Sequence, residues 1–415
     1  MRKDLYKLVK LLYIWVKFYS KIHSKMTEQK SLLWALNNAL RVFQDKMTRP
    51  QYKSLVGLTR SIIRKSTTIL SRLNEEWIVT KKYREKVSKH LGNIDIIEEV
   101  ENKAIRCIQE TIKKEWNEGE NKKRMIISYD ESDVFKPDAE KMPWLKNVRD
   151  WSTGLIGKGY IMRWVNVNGI SLLAKLYQSN AWTKREETIS IIDYVKSKIE
   201  TTNADWVIDR GSDDIEIIDK LLETEKFVIR AKKNRLIIDK KTGKKMKVES
   251  FKDGTYNVEL EWWTDVMLHI MKRKWFREPI RLYTNKEEET KVIIALYLRR
   301  WSIEEDFKKM KDLGLEEIRL FMRKKITNIL AILQFIIILS QDLYNEVMER
   351  KDIITSGIYL YFKEFCRMKS LTLNPQSFLT YLSEKLPVYL SYDISSQKDY
   401  WLFWNSRQAK KLGLI

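Results

Sequence analysis

Between Arg124 and Lys232 the apolar pattern changes period in a fixed order, and that order limits the folds open to this chain. RMIISYD (124–130) alternates as a strand does. GYIMRWVNVNG and ISLLAKLYQS alternate on either side of Asn168-Gly169, a pair that tolerates positive φ and so favours a tight hairpin. EETISIIDYVKSKIE then shows helical spacing, DWVID (205–209) is a short strand, 213–223 is a helix, and KFVIRAK (226–232) is a strand. Residues 233 to about 286 alternate again, with KTGKK and KDGT as turns. One long helix is expected from about 288 to 312, and the remainder reads as helical. Upstream, residues 1 to about 120 place apolar residues three and four apart with few turn signals, the mark of helices.

A three-strand meander, helix, strand, helix, strand and late helix is the ribonuclease-H-like order. The expected fold class is α/β: a ribonuclease-H-like mixed sheet flanked by helices, interrupted by a β-rich insertion, with helical N- and C-terminal regions. The expected divisions are a helical N-terminal region (1–120), whose basic excess assigns it to DNA binding, the first part of the core (121–232), the insertion (233–286), the second part of the core (287–345), and a helical C-terminal region (346–415) available for dimerisation. In this order of elements, acids at the end of the first strand, at the end of the fourth strand and on the late helix meet at one site. The chain has Asp130, Asp209 and Glu304 at those places.

The late helix carries YLRRWSIEEDFKKMK (297–311). At about 100° per residue, Tyr297, Arg300, Glu304, Lys308 and Lys311 fall within an arc of roughly 80°. Leu296, Ile303, Phe307 and Met310 form an apolar stripe beside them. One acid among an arginine and two lysines suits a carboxylate that holds metal while cations grip phosphate. A solvated helix laced with ion pairs has the same pattern. Glu305 and Asp306 fall off this face and are expected as solvent-side ion-pair partners. Glu131 points to the opposite side of its strand from Asp130. Asp133 is expected behind the site or in a turn, and Asp213 and Asp214 in the first turn of the next helix.

Composition narrows the partners. The chain has 78 Lys and Arg against 56 Asp and Glu, a net charge of +22, which calls for a polyanion. Residues 41–90 concentrate the excess, with 13 basic against 4 acidic residues. Cys107 and Cys366 are far apart and His23, His90 and His269 are scattered, so any metal falls to carboxylates. LYKLVKLLYIWVKFY is broken by Lys7, Lys10 and Lys17, which makes it an amphipathic helix rather than a signal peptide. Anionic membrane is the other candidate for the positive charge; the apolar run Ile329–Leu339 contains Gln334 and is too short to span a bilayer, and no membrane partner is expected.

The chain resembles the DDE transposases of bacterial insertion sequences, in the group marked by Tyr-x2-Arg-x3-Glu-x6-Lys. Tyr297, Arg300, Glu304 and Lys311 match that spacing. Asp130-Glu-Ser-Asp133 with Lys136 is similar to the family's D-x-[ST]-D segment, Asp150 and Gly159-Tyr160 to its D…GY pair, and VIDRG, with Asp209 and Arg210, to its D-R segment. The likeness covers about residues 121–345, but the insertion between Asp209 and Glu304 does not match residue by residue.

The resemblance implies that Asp130, Asp209 and Glu304 are catalytic and hold two Mg²⁺ ions, with Mn²⁺ able to substitute and Asp130 bridging both. It implies that water frees the 3′ end of the element and that this 3′-OH attacks target DNA. The implied partners are the element's terminal inverted repeats and target DNA, bound by a homodimer in the cytoplasm at the nucleoid. Tyr297, Arg300, Lys308, Lys311 and Arg210 are the implied DNA contacts. Relatives place a Trp of the insertion under a flipped base. Trp262, Trp263 and Trp275 all lie among lysines there, and Trp263 is carried as the candidate. Two alternatives stand beside this: a ribonuclease-H-like nuclease without strand transfer, and a catalytically silent or domesticated DNA-binding derivative.

Overall fold

A computed structural model of the chain describes residues 36–72, 81–117, 124–150, 153–177, 183–201, 203–274, 276–349 and 353–385. The N-terminal amphipathic segment, Trp275, the expected boundary at 121–123 and the chain beyond 385 lie outside these residues. Two compact units are present, one comprising Asp95–Ile338 and the other the described parts of Met1–Ile94 and Leu339–Ile415.

In the second of these, α1 (Arg49–Lys65) starts with a capping box in which Thr48 and Gln51 satisfy each other's backbone. Its buried face is Leu55, Leu58, Ile62 and Ile63. It meets α2 (Lys81–Asn93) through a 2.8 Å hydrogen bond between Ser54 and His90.

The unit Asp95–Ile338 begins with α3 (Ile97–Asn117) and is built on one mixed sheet. Its strands are β1 (Met125–Phe135), the short β2 (Lys146–Arg149), β3 (Ile156–Val167), β4 (Ile170–Leu176), β5 (Ala204–Ile208) and β6 (Lys226–Arg230). Strand β3 runs antiparallel to β1 and hairpins into β4, whereas β5 is parallel to β1 and β6 parallel to β5. The resulting order β4-β3-β1-β5-β6 is the ribonuclease-H-like one. Asn168 and Gly169 turn the hairpin with φ of 48° and 81°. Gly159 is required for a different reason: a Cβ there would lie 2.4 Å from the Val134 carbonyl oxygen across the β1–β3 ladder.

The parallel strands need crossovers, and two capped helices provide them. Helix α4 (Lys184–Lys198) opens with a Thr183–Glu186 capping box, and α5 (Ile215–Leu222) is capped by Asp214. Asp213 is not a first-turn surface acid. It is fully buried, takes the Lys232 amide at 2.6 Å and pairs with Arg235 at 2.9 Å, so it ties the start of α5 to the exit of β6.

Residues 233–286 form β7 (Leu236–Asp239), β8 (Lys245–Lys247), β9 (Gly254–Glu259), β10 (Asp265–Met271) and β11 (Ile280–Thr284). Strand β11 pairs antiparallel with β6, so these strands extend the same sheet.

The expected single helix over 288–312 is two: α6 (Thr290–Leu298) and α7 (Trp301–Asp312). At the junction, Arg299 and Arg300 donate to Leu296 and Tyr297, the tighter i→i−3 pattern of a 3₁₀ turn. Ile293, Ile294, Leu296 and Tyr297 of α6 pack on Ile126, Val207, Val228 and Leu282 of the sheet. On α7, Ile303, Phe307 and Met310 are buried as the apolar stripe requires. Asp306, expected at the surface, is buried as well. It receives Lys309 at 2.8 Å and the Asn166 amide at 2.8 Å, which pins α7 to β3.

Helix α8 (Arg323–Glu349) is the one helix among the described residues long and apolar enough to cross a membrane. Of its apolar window, 83% is buried inside the protein, and Gln334 donates to the Ser171 carbonyl. These are the traits of a core helix. In the other unit, α9 (Ile353–Lys369) and residues 375–385 contribute Phe362, Phe365, Phe378 and Tyr381 to an aromatic cluster that also contains Tyr344.

Candidate active site

Register alone brings the first two acids together. In the parallel β1–β5 ladder Tyr129 lies opposite Ile208, so Asp130 and Asp209, one residue further on, sit side by side at the strands' C-terminal ends. Alternation separates Asp130 from its neighbours. The Tyr129 hydroxyl donates to Glu131 and meets Thr188 of α4, and Glu131 pairs with Lys184 and Arg163 on that face. Asp130 faces the other way, toward the α6–α7 junction. Asp133 accepts the Arg149 amide at 3.3 Å, a contact that holds β2 rather than the site.

Glu304, in the first turn of α7, supplies the third carboxylate, and Arg300 stands among all three. Its Nη1 is hydrogen-bonded to Asp130 Oδ2, and its Nη2 lies 2.7 Å from Glu304 Oε1 and 3.9 Å from Asp209 Oδ1. Tyr297, one turn earlier, donates its hydroxyl to Asp209 Oδ1 at 2.8 Å, with the Arg300 guanidinium over its ring. Side-chain exposure rises from 7% at Arg300 and 15% at Asp130 to 31% at Asp209 and 39% at Glu304, so the site is closed at the sheet and opens past the helix.

These surroundings split the titration of the adjacent aspartates. Burial, with the nearby Asp209 and Glu304 charges, pushes Asp130 up to about 7 despite Arg300. Burial also works against the Asp209 charge, but Arg300 and the Tyr297 hydroxyl outweigh it and hold that carboxyl below its usual range. The Tyr297 hydroxyl is raised, first by burial and then by Asp209.

Of the other expected site residues, Lys311 pairs with Glu316 at 2.9 Å instead of turning to the acids. Lys308 and Arg210 are exposed. Trp263 is 84% exposed, at the end of a short 3₁₀ turn between β9 and β10, with a φ of 66°. The side chain of Trp262 is outside the described set. Arg230 was missed by the sequence reading. Its Nη1 lies 3.9 Å from Asp209, and the signal was present, because Ile229 of β6 pairs with Ile208 and so places Arg230 beside Asp209. Lys136 is buried and donates to the Glu316 and Ile318 carbonyls, which fastens the end of β1 to the segment after α7.

Three carboxylates still outnumber the two guanidiniums beside them, Arg300 and Arg230, and hard oxygen donors of this kind suit Mg²⁺ or Mn²⁺. As they stand, no group of three His, Cys, Asp or Glu among the described residues is arranged to hold an ion. By type, three carboxylates are a donor set that fits a divalent metal. The buried Nε of Arg300 has no hydrogen-bond partner, so its present seat does not satisfy it fully.

No curated protein matches the chain. Among solved structures, a piggyBac transposase synaptic complex with hairpin DNA aligns over 84% of this chain and 73% of that one, at 11% identity and a TM-score of 0.47. Residues 186–339, a span that includes Asp209 and Glu304 and begins downstream of Asp130, match the family model described as Transposase DDE domain.

Proposed function

We propose that the chain is a transposase of the bacterial insertion-sequence type, which cuts the ends of its element and joins the freed 3′-OH to target DNA. The observation that carries this reading is the convergence of Asp130, Asp209 and Glu304 beside Tyr297 and Arg300, within a chain whose residues 186–339 match a transposase domain. When bound, two Mg²⁺ ions supply an activated attacking oxygen and a stabilised leaving oxygen. The chain's own residues do the rest. The three carboxylates provide the ligands, Tyr297 orients Asp209, Arg300 at the start of α7 meets phosphate beside them, and Lys311 near its end does so on leaving Glu316. Lys308, Arg210 and Trp263 present exposed groups to DNA. The basic stretch 41–90 grips element ends, 346–415 serves dimerisation, and a homodimer acts on DNA at the nucleoid.

The test is strand joining by the purified protein on a cut-end oligonucleotide bearing a 3′-OH, with Mg²⁺. Joined product supports the transposase. Cleavage without joining points to a nuclease, and binding without either points to a silent derivative.

A further inference from the structure

We infer that Arg300 is a displaceable countercharge. In the free protein its guanidinium holds the place between Asp130, Asp209 and Glu304, and it yields that place to divalent cations when a DNA phosphate receives it. The inference rests on reading the three acids as the metal-holding set.

Three observations and one rule of chemistry carry it. Arg300 spends both terminal nitrogens on site carboxylates, on Asp130 and on Glu304 at 2.7 Å. A guanidinium stays protonated and offers only donors, so it competes with a metal cation for the same carboxylate charge and repels it. Its Nε is buried without a partner, so leaving forfeits less than a fully satisfied arginine would lose. Finally, Arg300 sits at the 3₁₀ junction between α6 and α7, outside the regular turns of both helices, and the site opens past Glu304 toward solvent. A guanidinium swung that way meets DNA as a fork that matches phosphate. Because binding linkage is reciprocal, DNA then raises metal affinity and metal raises DNA affinity, so the site loads preferentially on its substrate.

The test is calorimetric titration of full-length protein with Mn²⁺ alone, with and without a duplex oligonucleotide. Arg300→Gln removes the charge and is expected to bind Mn²⁺ at least about tenfold more tightly than wild type without DNA. The duplex should tighten Mn²⁺ binding by wild type and leave the variant's affinity unchanged. Arg300→Lys retains a charge but loses the fork, and should fall between the two. It decides the matter if the glutamine variant does not fold. Equal or weaker Mn²⁺ binding by the folded variant overturns the inference. If Asp130→Asn abolishes Mn²⁺ binding while Arg300→Gln leaves it unchanged, the countercharge role alone fails. If Mn²⁺ binding ignores Asp130→Asn, the metal-site reading beneath it fails.

Discussion

Each residue at the site is held by a constraint that can be named. Asp130 and Asp209 are neighbours because two parallel strands share a register, and Tyr297 reaches Asp209 because its ring is buried against that sheet. Trp263 is the opposite case. It has little packing to lose, and its φ of 66° is strained for any bulky side chain. Trp263→Gly is therefore expected to keep or raise stability, by up to about 1 kcal/mol, because glycine accepts that backbone freely. On the proposed DNA-contact role of this exposed ring, end processing should fall. Thermal melts and cleavage assays on the same preparation check both halves. A strong loss of stability would make Trp263 a packing residue.

At the scale of elements, the α6–α7 pair determines what the site can be. Helix α7 is fixed through a buried polar network in which Asp306 joins Lys309 to Asn166 of β3, with Trp164 packed on Phe307 nearby. Asp306→Asn would leave the Lys309 ammonium buried without its counter-ion, a change expected to cost about 3–5 kcal/mol in denaturant unfolding. A loss below about 1 kcal/mol would show that the pair is not needed to seat α7.

The same element shows what sequence could and could not reveal. The Asn168-Gly169 hairpin, the order of strands and the buried stripe of α7 were legible because period and turn chemistry are local signals. The break at Arg299 and Arg300 was not, since neither Pro nor Gly marks it and the tightening depends on side chains anchored across the sheet. A helical wheel drawn straight through that break put Arg300 on an open cationic face. Charge alone sent Asp306 to solvent although, at about 100° per residue, it lies roughly 40° from Met310 of the buried stripe. In the structure both are buried. The meeting of Asp130, Asp209 and Glu304 could be anticipated from topology, whereas the arginine among them could not.

For the whole molecule, charge is the property that most directly sets the partner. A net +22 with a concentrated basic stretch at 41–90 favours a polyanion through release of its counterions. Exposed Lys82, Lys86 and Lys89 of α2 carry part of it. Replacing all three with Gln should flatten the slope of log K against log salt for end DNA, by about 0.9 for every phosphate that is no longer neutralised. An unchanged slope would mean that these lysines only solvate their helix. The most direct measurement of the central claim is strand joining by Asp130→Asn, Asp209→Asn and Glu304→Gln on a pre-cut end with Mg²⁺, with DNA affinity determined in parallel. The account predicts that each variant loses joining by at least about 100-fold while affinity for the end is nearly kept, since the cationic surface is untouched. Near-normal joining by any one of the three would contradict it.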